Sequence, residues 1–135
     1  MLKYSKINNP GENQAVQTFP VLDQYCNYML AALGRSELTV KEYTYDIICF
    51  CRFYKQDRNM VPKDMVFEEI DVSDVDVKLL NKVNTDDLLA FIIWLSRTRK
   101  QSNASRARHV ASLKSFFKYQ QSKKILIDNN PAYDL

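Results

Sequence analysis

Apolar residues recur three and four positions apart along most of the chain, which is the spacing of one face of an α-helix. The first half predicts two helices. The first starts at Thr18, whose side chain suits an N-cap, and ends at Gly34, because glycine readily adopts the left-handed conformation found just past a helix. The second follows Ser36 and runs to about Gln56. Their predicted inner faces are Phe19, Leu22, Tyr25, Cys26, Met29, Leu30 and Leu33 on the first, and Val40, Tyr43, Ile47, Phe50, Cys51 and Tyr54 on the second.

The second half predicts two further long helices after a long connection. Residues 58–82 are rich in acids and show only a weak short-helix pattern near their end, so we expect little regular structure there. Thr85 is predicted to cap the next helix. The last long helix begins at Ser102 or Asn103 and runs to about Ser122. The predicted inner face of the helix after Thr85 is Leu88, Phe91, Ile92 and Leu95, widened by Ile93 and Trp94.

These elements predict an all-α fold, a small bundle of four to five helices over residues 18–135. Residues 1–17 lack periodicity and are expected to form a flexible lead-in. No apolar run approaches the roughly 20 residues that cross a bilayer, and the N-terminus has no apolar stretch of the signal-peptide type. We therefore expect a soluble, cytoplasmic protein that does not engage a membrane.

The cysteine and histidine content argues against metal binding and nucleophilic catalysis. Cys26, Cys49 and Cys51 form no C-x-x-C pair and lie among apolar residues, which indicates buried thiols rather than disulfides or metal ligands. His109 is the only histidine, so a zinc site or a Ser-His-Asp triad has almost no material. We expect no metal and no cofactor.

Charge is strongly segregated along the chain, although the formal net charge is only +3. Between residues 60 and 87, eight acids stand against three bases. Between residues 88 and 127 there is no Asp or Glu. This segregation predicts a polyanionic partner for one face of the protein. The nine bases of the acid-free run are Arg97, Arg99, Lys100, Arg106, Arg108, Lys114, Lys118, Lys123 and Lys124.

A helical wheel of the last long helix separates a core side from a surface side. The residues predicted to face the core are Val110, Leu113 and Phe117, with Ala107 and Phe116 beside them. Small hydroxyl residues on the opposite arc would let the helix approach a surface closely, and arginine and lysine are typical of contacts in the DNA major groove. The opposite arc carries Ser105, Arg108, Ser112 and Ser115, with Lys114 and Lys118 at its border.

The residues at the start of this helix extend the predicted surface. Asn103, Ser105 and the first-turn N–H groups could hold a phosphate, because a helix N-terminus attracts anions, and Ser102 beside them is a further candidate DNA contact. Arg106 lies near the core side, so an internal ion pair is an alternative for it. A solvated basic face without a specific partner is the alternative for the whole surface. The preceding loop would add backbone contacts from Arg97, Arg99 and Lys100.

Two sequence motifs carry a family resemblance. Residues 36–54, SELTVKEYTYDIICFCRFY, follow the order S-x-x-T-φ-x-x-Y-x-x-D-φ-x-x-F, where φ is apolar. Further on, VNTDDLLAFIIWL is followed by a basic loop and by RHVASLKSFFKYQQSKKILIDNNPAYDL, which closes on Asn130 and Pro131. In this order, over roughly residues 19–135, they resemble the SAM-like, core-binding N-terminal domain of tyrosine recombinases and phage-type integrases.

The resemblance implies two crossed helix hairpins that bind double-stranded DNA at a recombination core site. It also implies a catalytic domain of the same parent chain and other recombinase protomers as partners. The family's catalytic arginines, lysine, histidine and tyrosine lie in that C-terminal domain, so we expect this chain to be non-catalytic. In the family, helices matching those that start at Ser36 and near Asn103 face the major groove, which adds Thr39, Lys41 and Thr44 to the candidate DNA contacts.

Two tyrosines and one aspartate of the second helix carry smaller expectations, and two rival functions stay open. Tyr43 and Tyr45 lie near the implied DNA surface, but Tyr43 is expected in the core. Asp46 is expected to be a cap or an internal hydrogen-bond partner rather than a catalytic acid. One rival function is a stand-alone helical DNA-binding regulator or accessory factor. The other is a helical protein-interaction module whose basic face docks on an acidic partner.

Overall fold

The computed structural model describes residues 17–135, and every regular element within that range is helical. The predicted all-α bundle is therefore confirmed. The predicted lead-in falls almost wholly outside the described residues. A 3₁₀ turn at Phe67–Glu69 and a π turn at Tyr119–Lys123 accompany the α-helices. These helices are α1 (Pro20–Ala31), α2 (Glu37–Asp57), α3 (Val77–Leu80), α4 (Thr85–Arg97) and α5 (Asn103–Lys118).

The ends of α1 and α2 show which of the predicted caps form. Ser36 Oγ accepts a hydrogen bond from a backbone N–H in the first turn of α2 (3.1 Å), as predicted for its N-cap. Gly34 has a φ of 63° just past α1, which confirms its predicted place in that turn. Thr18 does not cap α1. Phe19 occupies the N-cap position, and the Thr18 hydroxyl donates instead to the Asp23 carboxylate (3.1 Å).

The start of α4 differs from the prediction by one residue. Asn84, not Thr85, is the cap: its side chain accepts from the Asp87 N–H, and the Asp87 carboxylate accepts from the Asn84 N–H, both at 2.9 Å. Asp87 also accepts two hydrogen bonds of 2.8 Å from Arg58. The Thr85 hydroxyl donates to the Pro131 carbonyl (2.8 Å), which ties α4 to the C-terminal turn.

The acidic connection between α2 and α4 has little regular structure, as predicted, yet it contributes to the core. Only the 3₁₀ turn and the single turn of α3 are regular within it. Ile70, Val72 and Val75 are almost fully buried. The ammonium group of Lys55 pairs with Asp74, so part of the negative charge of the connection is neutralised by α2.

Helix α2 lies at the centre of the bundle and packs against α1, α4 and α5. The ring of Phe50 meets Phe91 of α4 and Phe117 of α5 edge-on, with centroids 5.4 Å and 6.4 Å apart. Tyr25 of α1 meets Phe116 of α5 in the same way at 5.4 Å. Burial of each large apolar side chain contributes about 1.5 to 3 kcal/mol to stability. The core is therefore closed from three sides around α2.

The three cysteines are free and buried, as predicted. Burial raises the pKa of Cys26 and Cys49 to about 11, so both are uncharged thiols at neutral pH. Within residues 17–135, no group of three or more His, Cys, Asp or Glu side chains is placed to hold a metal ion. None of the described helices combines the length and apolar character that a bilayer crossing requires.

The buried side of α5 is rotated relative to the predicted one. Val110 is only half-buried and Ala107 is exposed, although both were predicted on or beside the core face. Two polar residues, His109 and Ser112, are buried there instead. Leu33, predicted on the inner face of the first helix, lies just past α1 and is 44% exposed. The predicted core residues of α5 that the structure does bury are Leu113, Phe116 and Phe117.

A buried carboxylate joins α2 to α5 where these polar residues lie. Asp46 is 0% exposed and accepts hydrogen bonds from Arg108 Nε (3.0 Å), Arg108 Nη2 (2.8 Å) and Ser112 Oγ (2.7 Å). Glu42, one turn earlier, accepts from Arg108 Nη1 (3.1 Å). The Nδ1 atom of His109 lies 3.4 Å from Asp46 and has no hydrogen-bond partner among the described residues. The predicted role of Asp46 as an internal hydrogen-bond partner is confirmed.

Replacing Asp46 with asparagine should destabilise the fold, because Arg108 and Ser112 then lose a charged acceptor inside the protein. We expect the free energy of unfolding to fall by about 2 to 4 kcal/mol in urea denaturation followed by circular dichroism. The control is Glu42→Gln, which should cost less than about 1 kcal/mol because that carboxylate is partly solvated. Equal losses in the two variants would contradict the assignment.

Stability should also depend on pH through His109. Burial lowers the pKa of His109 below its usual 6.5, against an opposing effect of Asp46, and Arg108 lowers it further. A base with a lowered pKa in the folded state stabilises the fold in its neutral form. This contribution is complete above the unfolded pKa and is lost as the pH falls through the folded one. Between about pH 7 and 5, the unfolding free energy of His109→Gln should therefore fall less than that of the wild type in urea titrations. Parallel pH profiles would refute this.

Candidate nucleic-acid interface

The solvent-facing row of α5 consists of small and basic residues. Its members recur every three or four positions, so they share one side of the helix. The row is Asn103, Ala104, Ala107, Ala111, Lys114 and Lys118, all exposed. Of the predicted contacts on α5, Asn103 and Lys114 lie in this row. The others lie at its borders or inside the protein.

The start of α5 is held by its own side chains. Ser102 is the N-cap and accepts from the Ser105 N–H (3.2 Å), while the Ser105 hydroxyl donates to Gln101 (3.0 Å). Arg106 donates to the Gln101 carbonyl and to the side chain of Asn103. The alternative of an internal ion pair for Arg106 is therefore wrong, because its acceptors are neutral. Ser102 and Asn103 remain exposed, and Ser105 and Arg106 are half-buried.

The prediction that Thr44 and Ser112 contact DNA is wrong, because both side chains are buried. The Thr44 side chain is buried, its hydroxyl donates to the Val40 carbonyl (2.7 Å), and it lies 3.0 Å from Cys26 Sγ. Ser112 is buried against Asp46. Neither hydroxyl could reach DNA unless α2 separated from its neighbours. Both are polar residues whose partners lie inside the bundle, which a helical wheel cannot show.

Arg108 is neither free nor buried. Its side chain is 35% exposed, and three of the five N–H donors of an arginine are used by Asp46 and Glu42. Hydrogen bonding to Asp46, the main cause, raises the pKa of Arg108 above its usual value, so the group stays charged. The sequence predicted Arg108 as a contact in the DNA major groove. The structure instead holds its guanidinium in one orientation with two donors unused.

Arg99 is similarly occupied. Its guanidinium lies over the rings of Phe67 (4.7 Å) and Trp94 (4.8 Å), and Nη2 is 3.8 Å from the Glu68 carboxylate. This contact docks the 3₁₀ turn onto the end of α4. Arg97 and Lys100, on either side of Arg99, are exposed. These two predicted contacts, one at the end of α4 and one in the loop after it, stay available to a ligand.

On α2, the predicted contacts lie close to exposed apolar side chains. Thr39 and Lys41 are half-buried, and the Ser36 hydroxyl donates to Thr39 Oγ1 (3.0 Å). Leu38 and Tyr45 are exposed at the spacing of one helix face, with Lys41 between them along the chain. Tyr43 is half-buried and packs against the core, as predicted.

The predicted set omits a cleft beside the C-terminal end of α5. A cavity of about 320 Å³ opens there, and a second one of about 340 Å³ shares Lys118 and Ser122 with it. Lys118 and Lys123 both belong to the acid-free run of the sequence. The sequence alone does not show that their side chains line the same cleft. The residues lining the first cavity are Tyr28, Leu33, Ser115, Lys118, Tyr119, Ser122 and Lys123.

Two groups can be distinguished among the basic residues. Lys55, Arg58, Arg99 and Arg108 each pair with an acid. In the second group, each residue belongs to the end of α4 or follows it, is exposed, and has neither an ion-pair nor a side-chain hydrogen-bond partner in the part of the chain that the structure describes. These residues are Arg97, Lys100, Lys118, Lys123 and Lys124. The second group is a surface of unneutralised positive charge, which is the charge pattern of proteins that bind phosphate groups.

Comparison with known proteins gives sequence relatives only. No protein-family model matches the chain, and no solved structure matches it either. The chain is 40% identical over 122 residues to a protein named tyrosine recombinase XerC from Caldanaerobacter subterraneus subsp. tengcongensis, which covers 90% of the chain and 35% of the relative.

A protein of the same name from Anoxybacillus flavithermus is 29% identical over 108 residues, covering 80% of the chain and 30% of that relative. The chain thus spans about a third of the length of the curated relatives it matches. Because the first similarity extends over nearly the whole described bundle, it applies to the fold as a unit. Over most of its length the chain is therefore similar to about a third of a tyrosine recombinase.

Proposed function

We propose that this chain is the core-binding, SAM-like part of a tyrosine recombinase, and that it binds duplex DNA at a recombination core site without performing chemistry. The observation that carries the proposal is the group of exposed cations without acid partners on α5, the π turn and the loop before α5. Within the family, such a surface is best matched by the phosphates of the DNA that a recombinase must grip.

The solvent-facing row of α5 fits a helix that approaches DNA closely. Ala104, Ala107 and Ala111 leave the backbone accessible, and the major groove is about 12 Å wide, enough to admit an α-helix. Asn103 stands at the helix N-terminus, where backbone N–H groups attract a phosphate. Lys114 stands near the other end of the helix and donates to the main-chain oxygen of Leu135 (3.1 Å).

The proposed contacts keep exposed and half-buried members of the predicted set and add the cleft lysines. Lysines would hold phosphates without reading sequence, whereas Asn103 and Arg108 would read base edges. The cutting and joining of DNA would belong to a catalytic domain of the parent enzyme, and other recombinase protomers would bind the same DNA. The proposed contacts are Thr39, Lys41, Arg97, Lys100, Ser102, Asn103, Arg108, Lys114, Lys118 and Lys123.

Binding to duplex DNA should be strongly salt-dependent, because each neutralised phosphate releases condensed counterions. With on the order of five contacts, affinity should weaken by roughly two to three decades between about 50 and 200 mM salt. Fluorescence anisotropy with a labelled mixed-sequence duplex measures this directly. An absence of association even in dilute buffer would reject the proposed function. A salt-insensitive affinity would reject its electrostatic basis.

The double variant Lys118→Gln/Lys123→Gln should weaken duplex binding uniformly across DNA sequences, because lysine–phosphate contacts carry no sequence information. The slope of log K against log salt should become shallower by roughly 1 for each lost contact. The control is Lys63→Gln, which removes a charge from the exposed acidic connection and should leave the slope unchanged. If the control and the double variant gave the same slope, the cleft lysines would not contact DNA.

A further inference from the structure

The place where α2 and α5 meet is unusual on the proposed DNA surface because its charge is negative. Arg108 contributes one positive charge, and Asp46 and Glu42 contribute two negative charges around it. A surface built only to attract phosphates would not place a second carboxylate beside a central arginine. Asp46 alone already neutralises the guanidinium, so Glu42 calls for a separate explanation.

The two carboxylates are held very differently. Asp46 is fully buried, takes both Nε and Nη2 of Arg108, and is fixed by Ser112 as well. Glu42 is 42% exposed and takes a single hydrogen bond from Nη1. Breaking a buried pair is strongly unfavourable, whereas exposed pairs contribute little. If another acceptor competed for Arg108, its hydrogen bond to Glu42 would break and its hydrogen bonds to Asp46 would remain.

The donor inventory of Arg108 shows what Glu42 controls. An arginine that reads guanine uses two N–H donors toward O6 and N7. Asp46 takes two donors and Glu42 takes a third, which leaves one N–H on Nη1 and one on Nη2. When Glu42 leaves, Nη1 gains a second available donor, while Asp46 still holds the plane of the group.

We propose that Glu42 is a positioning residue that restrains Arg108 and thereby weakens binding to duplex DNA of arbitrary sequence. This inference rests on the proposed function. Glu42 occupies Nη1 of Arg108 and adds a negative charge that repels phosphates. A phosphate alone gains little by displacing it, whereas a base edge that offers two acceptors to Arg108 gains more. The carboxylate therefore raises the selectivity of the surface at the expense of its affinity.

The experiment compares the wild type, Glu42→Gln and Asp57→Asn with one mixed-sequence duplex of about 30 base pairs, by anisotropy over a salt series. Both variants remove one negative charge from α2. Asp57 is exposed at the far end, 15 residues away, which is about 22 Å along a helix. Glutamine keeps the length and the acceptor oxygen of Glu42, and thermal denaturation checks that both variants keep the wild-type stability.

We expect Glu42→Gln to bind this duplex about three- to tenfold more tightly than the wild type at low salt, with a salt slope steeper by up to about 1. Asp57→Asn should differ from the wild type by less than about twofold, since it is more than a Debye length away. A third comparison uses Arg108→Lys, which can still pair with Asp46 but has no Nη1. In the Arg108→Lys background, the change in log affinity caused by Glu42→Gln should be less than half of the change measured without Arg108→Lys.

Three outcomes would overturn the inference while leaving DNA binding in place. They are an unchanged or weakened affinity of Glu42→Gln, an equal gain in Asp57→Asn, and an undiminished gain in the Arg108→Lys background. The first would mean that Glu42 does not restrain DNA binding, and the second that only net charge matters. The third would mean that Glu42 acts without Arg108. If no variant binds the duplex in dilute buffer, the proposed function fails, and the inference fails with it.

Discussion

The fold and the proposed surface both depend on one buried carboxylate, that of Asp46. It lies on the helix at the centre of the bundle and binds two residues of α5, Arg108 and Ser112. A buried carboxylate is tolerated only when charged and polar donors surround it, and this requirement fixes the rotation of α5 on α2. The rotation then decides which side of α5 faces solvent. The alanine and lysine row is exposed because the polar residues of the opposite side are needed inside.

The same constraint explains why the basic residues of the chain are not equivalent. Arginines hold internal acids and rings: Arg58 binds Asp87, Arg108 binds Asp46, and Arg99 stacks on two aromatic rings. A planar guanidinium suits such contacts because it offers several donors in fixed directions and stacks on rings. The lysines of the acid-free run are exposed instead, and a flexible ammonium group suits phosphates whose exact positions vary. The sequence shows the segregation of acids and bases, but only the fold separates structural cations from available ones.

Sequence reasoning was most successful where structure is local. The four long helices in their order, the bounds of α2, the Ser36 cap and the Gly34 turn all follow from spacing and turn chemistry, and the structure confirms them. Sequence reasoning failed for Thr44 and Ser112. A helical wheel shows one helix only, so it assigns a polar residue to solvent even when its hydrogen-bond partner lies on another helix. The partner of Ser112 is Asp46, 66 positions earlier in the chain. The cap of α4 was misplaced by one residue for a subtler reason: Asn84 and Thr85 are both good caps, and the reciprocal bond to Asp87 selects the first.

The π turn at the end of α5 shows how a small departure from regular geometry shapes the candidate site. In a continuous α-helix, residues five apart are rotated by about 140°, so Lys118 and Lys123 would point in different directions. Here the Lys124 N–H bonds to the Tyr119 carbonyl five residues back (3.1 Å), and the wider turn brings Lys118 and Lys123 to the same cleft. Tyr119 and Gln120 remain buried on the inner side of that turn. The widened turn thus lets the chain complete its core and still present two ammonium groups toward one space, as a phosphate-binding cleft requires.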